Sequence, residues 1–290
     1  MQLISKVQYK RSEKGEFHEI ASRNLEETVA LIKNYPWNTE RSLASIELTC
    51  PSVTIEYPNG TYLKAGPYFS GKFSLYYLAY NKKVYLKTVE TIEEVCQWVS
   101  RYFEQKGQLD FSEKYGFTFS PEIHFRTNPF EYTVNVNNIA KYYRFLFFMM
   151  CVIPVMCLLK FADHPEGFSF QTPVILMGFF LFLFSPLIYL YFNYLSADKD
   201  KYLQLSRGHD DFTFGTYEEK IKYSKQDIIR IEAYGMHNSR SLWRESEVFV
   251  ITLHNGEQLK FSSLLIPGYT FRSKFPDHRV TEHRAYFPTL

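Results

Sequence analysis

The chain has 290 residues, 33 Lys and Arg against 31 Asp and Glu, and a formal net charge of +2. A balance this near neutrality, without any long run of like charge, provides no basic field and argues against a nucleic-acid partner. The four cysteines Cys50, Cys96, Cys151 and Cys157 form neither a Cys-x-x-Cys pair nor a Cys/His ligand spacing, so reduced structural thiols and no bound metal are expected.

In chain order, residues 3–9 alternate weakly as a strand and 10–14 form a charged turn. Lys6, Lys10, Arg11 and Lys14 leave no apolar core there for a cleavable signal peptide. Asn24 followed by Glu27 marks a capping box, and Leu25, Val29 and Ile32 line one helical face until Pro36 stops it. Strands are expected at 43–49, 53–57 and 61–65, the last two joined by Asn59-Gly60, whose positive φ angles suit a tight hairpin. A further strand at 72–80 turns at Asn81-Lys82 into 84–89. Thr91, with Glu94 behind it, caps a helix whose face is Ile92, Val95, Trp98, Val99, Tyr102 and Phe103, ending at Gly107. Residues 1–110 thus read as an α+β soluble domain, an antiparallel sheet with covering helices. Aromatic residues make up 18% of the chain and are spread through it, as fits β-rich domains with aromatic cores. Residues 111–140 read as an extended connector with a strand-like rhythm around Phe117, Phe119, Ile123 and Phe125.

Residues 141–195 read as a two-helix transmembrane hairpin. The run 172–195 carries no formal charge, and about 20 apolar residues suffice to cross a hydrocarbon core roughly 30 Å thick. The charge-free run 145–159 is bracketed by Arg144 and Lys160, both able to snorkel, and its extension to 142–161 puts Tyr142, Tyr143 and Phe161 at interfacial depth. Pro154 and Pro186 kink the two helices, and no carboxylate at mid-depth points to transport. Arg126, Lys141, Arg144, Lys199, Lys201 and Arg207 flank the pair, against Lys160 alone beside the 162–171 loop. The positive-inside rule then places both termini in the cytoplasm and the protein in an inner membrane. The lipid bilayer is one expected partner, and homo-oligomerisation stays open.

Beyond it, strands are expected at 201–205, 212–214, 220–223, 228–234, 248–253 and 257–261, the last two around Asn255-Gly256. The segments Ile221-Lys222-Tyr223-Ser224-Lys225-Gln226-Asp227-Ile228-Ile229-Arg230-Ile231 and Val250-Ile251-Thr252-Leu253-His254-Asn255-Gly256-Glu257, leading to Phe261-Ser262-Ser263-Leu264-Leu265-Ile266-Pro267, resemble the bacterial pleckstrin-homology-like (PH-like) two-span membrane proteins over 142–267. The resemblance implies a small PH-like β domain at 196–266. That fold normally ends in an amphipathic helix, whereas Pro267, Gly268, Pro276 and Pro288 leave room for a turn or two at 262–266 and then a C-terminal tail, 267–290. In the first domain, residues 25–37 with Pro51-Ser52-Val53-Thr54-Ile55, Gly60-Thr61-Tyr62-Leu63-Lys64, Gly71-Lys72-Phe73-Ser74-Leu75-Tyr76-Tyr77-Leu78 and the 91–103 helix are similar to α+β immunity-type proteins of interbacterial toxins. This likeness implies a cognate toxin as protein partner.

Lys220, Lys222, Lys225 and Arg230, with Arg240 and Arg244, are the candidates for contact with anionic lipid headgroups, diluted by Glu218, Glu219, Asp227 and Glu232. His209-Asp210-Asp211 reads as a solvated turn, since three adjacent side chains cannot all face one ion. His278, Glu282 and His283 match no zinc spacing. Gly66 and Gly71 flank a loop with no phosphate-binding sequence, and no serine or cysteine sits in a nucleophile elbow. No catalytic, cofactor-binding or metal residue is assigned and an enzyme is not expected. The reading is a non-enzymatic two-span bacterial inner-membrane protein whose cytosolic domains bind protein, in its most concrete form an immunity protein against a membrane-acting toxin. The alternative is a membrane-tethered signalling or scaffold protein that uses the PH-like domain for assembly or lipid contact, and the third is an unrecognised enzyme.

Overall fold

The computed structural model describes residues 1–13, 15–42, 51–111, 130–134, 148, 151–152, 155, 159, 171–236 and 244–290. They belong to two units, one of Met1–Pro129 with Ser206–His209 and one of Phe130–Leu205 with Asp210–Leu290.

The first unit is built on hairpins. β1 (Leu3–Gln8), β2 (Glu19–Arg23), β3 (Ser52–Glu56), β4 (Tyr62–Pro67), β5 (Phe73–Leu78) and β6 (Val84–Val89) form one antiparallel sheet in the order β2-β1-β3-β4-β5-β6. The β3–β4 turn is the Asn-Gly turn expected: Gly60 has φ +83° and Asn59 Oδ1 accepts the Thr61 N–H at 3.0 Å. Strand alternation puts Leu3, Val7, Val53, Ile55, Leu63, Ala65, Leu75 and Tyr77 into one core with Ile32, Val95, Val99 and Tyr102. The latter four come from α1 (Leu25–Asn34) and α3 (Ile92–Glu104). Each such fully buried aliphatic side chain contributes about 1.5–3 kcal/mol relative to exposure. At α1 the capping box is complete, Asn24 Oδ1 accepting from Glu27 N at 2.9 Å and Glu27 Oε2 from Asn24 N at 2.8 Å. Pro36 holds Tyr35 extended and ends α1, as expected. The chain then turns directly into a six-residue helix, α2 (Trp37–Ser42), that the sequence did not announce.

The second unit has two four-stranded sheets. One orders β7 (Glu131–Thr133), β8 (Lys201–Gln204), β9 (Asp211–Thr216) and β10 (Lys220–Ser224) as β10-β9-β8-β7. The other orders β11 (Ile228–Gly235), β12 (Glu247–Leu253), β13 (Gln258–Ser262) and β14 (Val280–Arg284) as β13-β12-β11-β14, with β14 parallel to β11 and the other pairs antiparallel. Leu203, Phe212 and Phe214 from the first sheet and Ile231, Phe249, Ile251 and Phe261 from the second share one core. It is closed by α5 (Gly268–Ser273), whose buried Phe271 lies 4.4 Å from the Phe249 ring and 5.4 Å from that of Phe261. The closing helix therefore falls after Pro267, where the sequence left only a tail, because a proline is tolerated just before a helix as it is not within one.

Between β7 and β8 runs α4 (Gln171–Asp198), a helix of 28 residues. β7 and β8 pair antiparallel, Thr133 opposite Tyr202, so the chain that leaves the sheet at β7 re-enters it alongside. The last turns of α4 lie on the outer face of β12: Leu190 and Tyr194 are buried with Val248, Val250 and Leu264. The C-terminal tail locks the same turns, with Pro288 O accepting from Tyr194 Oη at 2.7 Å and Asn193 Oδ1 from Leu290 N at 2.9 Å.

These observations correct the expected architecture and its location. Among the described residues the chain is mostly β, three sheets with few helices, and no helix there is long and apolar enough to cross a membrane. The transmembrane hairpin, and with it the placement in an inner membrane with cytoplasmic termini, is not retained. From Phe184 onward one face of α4, with Phe184, Leu187, Leu190 and Tyr194, is buried in protein. The expected strand at 43–49, nearly all of the first expected span at 142–161, and most of the connector lie outside the described residues.

Candidate functional site

The sheet of β7 to β10 presents two of the basic residues singled out in the sequence, Lys220 and Lys222, and its register decides what each can do. Tyr202, Gly215 and Lys220 stand opposite one another on β8, β9 and β10 and so share a face. Gly215 has no side chain to intervene, and Lys220 reaches across it to place Nζ 3.7 Å from the Tyr202 ring centroid. Burial, followed by the hydrogen bond and charge of Glu131, pushes the Tyr202 hydroxyl up to about 12. Two residues further along the strand, Lys222 bonds Asp211 at 2.6 Å, an exposed ion pair.

The other two bases lie elsewhere. Lys225 is buried, donating to Lys274 O at 3.3 Å with its ammonium 5.5 Å from the Phe275 ring, so it belongs to the packing beneath α5. Arg230, on β11, places Nε 3.3 Å from Glu232 and 3.4 Å from the Thr252 hydroxyl. Arg240 lies outside the described residues, and Arg244 stands 3.9 Å from Glu245. The set is therefore split, Lys220 and Lys222 on the β10 edge and Arg230 on the other sheet. Each of the five described has a ring, carbonyl or carboxylate beside it.

The histidines acquire partners that sequence spacing did not show. His283 lies 3.1 Å from Glu232 and stacks on Tyr234 with ring centroids 4.8 Å apart. His209, read as part of a solvated turn, instead meets Glu16 of the first unit, Nδ1 to Oε1 at 2.6 Å. No local signal marks this pair, since the two residues are 193 apart in sequence. Among the described residues no group of three His, Cys, Asp or Glu side chains is placed to hold a metal ion. The first unit has an open cleft of about 310 Å³ between α1 and α2, lined by Lys33, Tyr35, Trp37, Asn38, Phe73 and Ile92 among others.

Two four-stranded sheets closed by a helix that drives a phenylalanine between them define a small β-sandwich, and the family comparison agrees. Residues 131–274 match the family model described as PH domain. The match runs from β7 to just past α5, so β14 and the tail lie beyond it and α4 falls within it, between its first two strands. No curated protein and no solved structure matches the chain. The resemblance of this segment to PH-like proteins is thus supported by the family match, which covers neither the first unit nor its likeness to immunity-type proteins. A PH domain is in general a protein-binding or lipid-contacting module.

Proposed function

We propose that the chain is a non-catalytic adaptor whose PH domain binds another protein. The observation that carries this reading is the fate of Lys220, Lys222, Lys225 and Arg230: one stands on a tyrosine ring, one is buried, and two face carboxylates. Attraction to anionic headgroups is worth about 1 kcal/mol per basic residue near the surface, and neighbouring carboxylates cancel it charge for charge. What the region offers instead is a polar surface with exposed Tyr217, Ile221 and Ile229, the mixture typical of protein interfaces. The alternative is lipid-headgroup contact through Lys220, Lys222 and Arg230.

Co-sedimentation of the full chain with vesicles of phosphatidylcholine, alone or mixed with phosphatidylserine, separates the two. The adaptor reading expects equal partition to both, insensitive to salt. Salt-sensitive binding to the serine-containing vesicles that is abolished in K220A/K222A/R230A would replace it with the lipid reading. The helix, hairpin and covering helix of the first unit are the elements on which its likeness to immunity-type proteins rests, and they motivate a narrower form in which the partner is a cognate toxin. Co-production with the product of a neighbouring reading frame tests that form, the expected result being restored growth.

A further inference from the structure

In the first unit several donors converge on one carboxylate. Glu16 ends the turn after β1, and its side chain is fully buried. Its Oε1 accepts from Gly208 N at 2.9 Å, His209 N at 2.8 Å and His209 Nδ1 at 2.6 Å, while Oε2 accepts from Gly208 N at 3.0 Å and Glu13 N at 2.7 Å. Arg207 clamps the same turn from the other side, Nε to Arg11 O at 2.8 Å and Nη2 to Ser12 O at 3.0 Å. His18 stacks on His209 with ring centroids 4.8 Å apart. Successive backbone N–H groups converging on one anion form a nest, and with the Ser206 hydroxyl counted, four of the five groups donating to Glu16 here belong to residues 206–209.

We propose that residues 206–209 form a carboxylate-binding nest, that Glu16 is its resident internal occupant, and that an aspartate or glutamate side chain of a partner protein competes for it. The class of ligand follows from the shape of the site. Both oxygens of a planar carboxylate are engaged. A Cβ added at Gly208 would meet Ser12 Cα at 2.8 Å and His18 Nε2 at 3.0 Å, so the nest lies tight against the turn that carries its occupant. The His209 side chain is 44% exposed and gives the nest a side open to solvent. An occupant on the same chain acts at an effective concentration on the order of millimolar. A free carboxylate competes poorly against that, whereas one presented by a docked partner arrives with a comparable advantage. That the competitor is a protein rests on the adaptor reading, but the nest does not, and the experiment addresses the nest alone.

In the full chain, E16A empties the nest, and amide hydrogen exchange at Gly208 and His209 reports whether it is filled. Charge-assisted hydrogen bonds are among the stronger ones, so exchange at these amides rises roughly ten-fold or more in E16A. Added formate restores protection there, and sulfate at the same ionic strength does not. Exchange unchanged by E16A, or raised but unaffected by formate, overturns the proposal, as does equal rescue by sulfate. If E16A loses protection throughout the six-stranded sheet, E16D, which withdraws the carboxylate by one methylene, is put through the same assay with the same two outcomes. A failure here leaves the vesicle result untouched, so the two readings fall separately.

Discussion

Asp198 and Ser262 are joined at two points: Asp198 Oδ2 accepts the Ser262 backbone N–H at 2.8 Å and its hydroxyl at 2.6 Å. Asp198 is the last residue of α4 and Ser262 the last of β13, so this one carboxylate fixes where the long helix ends on the sheet. Its other oxygen accepts from Lys201 Nζ at 2.9 Å, and Lys201 in turn donates to Lys260 O at 2.7 Å.

Removing that carboxylate leaves a buried amide and hydroxyl without an acceptor and a lysine without its counter-ion. D198A is expected to lose about 3 kcal/mol, and S262A, which keeps the backbone bond, about 1 kcal/mol. Urea denaturation of the full chain followed by tryptophan and tyrosine fluorescence checks the order. Equal losses in the two variants would show that the hydroxyl, not the carboxylate, holds the helix end.

Two glycines of the first unit separate backbone strain from crowding. Gly60 and Gly107 both have positive φ, +83° and +79°, but a Cβ at Gly60 meets nothing within 4 Å, whereas one at Gly107 meets Thr61 Oγ1 and Tyr57 Cγ at 2.7 Å each. G60A is expected to cost about 1–2 kcal/mol from the backbone term, and G107A about 1–3 kcal/mol more from overpacking. The Thr61 hydroxyl also bonds Tyr102 Oη at 2.9 Å, so G107A should disturb α3 as well. Thermal unfolding of the paired variants measures the difference.

How much of this was legible follows from how local each signal is. The capping residues Asn24 and Thr91 and the turns at Asn59-Gly60 and Asn255-Gly256 act within a few residues of themselves, and each stands where the sequence put it. The PH-like segment was legible for the same reason, as a succession of short strands and turns. The apolar stretch that forms α4 was not, because a helix apolar on every side has the same composition whether lipid or a sheet covers it. Only the positions of Val248, Val250 and Leu264 reveal the sheet. Lys225 counted as a surface base because spacing cannot show that Phe275 and the Lys274 carbonyl close over it. Glu16 and Gly208 carry no mutual signal at all, being brought together by tertiary structure alone.

Arg272 ties α5 to the sheet it closes. Its Nη1 and Nη2 donate to the two oxygens of Glu247 at 2.9 and 2.8 Å, and its Nε lies 3.3 Å from Glu282 on β14. A planar fork of this kind is not reproduced by lysine. R272K is therefore expected to lose about 1.5–3 kcal/mol, the scale of a charge-assisted bond. G268A should act on the same pair from the other side, since its added Cβ would fall 1.9 Å from Glu247 Oε2. If the two act through one contact, the double variant loses less than the sum of the single losses, which a double-mutant cycle in urea measures.

Burial alone would raise the Glu16 carboxyl, but hydrogen bonds from the Ser206 hydroxyl, the Glu13 and Gly208 amides and His209 outweigh it and hold it below its ordinary 4.5. A carboxyl depressed in the folded state stabilises the fold above its unfolded pKa, and that contribution is lost as pH falls through the folded value. Wild-type stability should therefore be flat in this component at neutral pH and fall away below 4.5. E16Q, which has no proton to gain there, should be less stable than wild type at pH 7 by an amount that shrinks toward pH 3. Other carboxylates titrate in both proteins and cancel in the comparison, so the quantity to follow is the difference between their urea midpoints across that range. A difference that stays constant with pH would mean that Glu16 contributes shape to the turn and no charge.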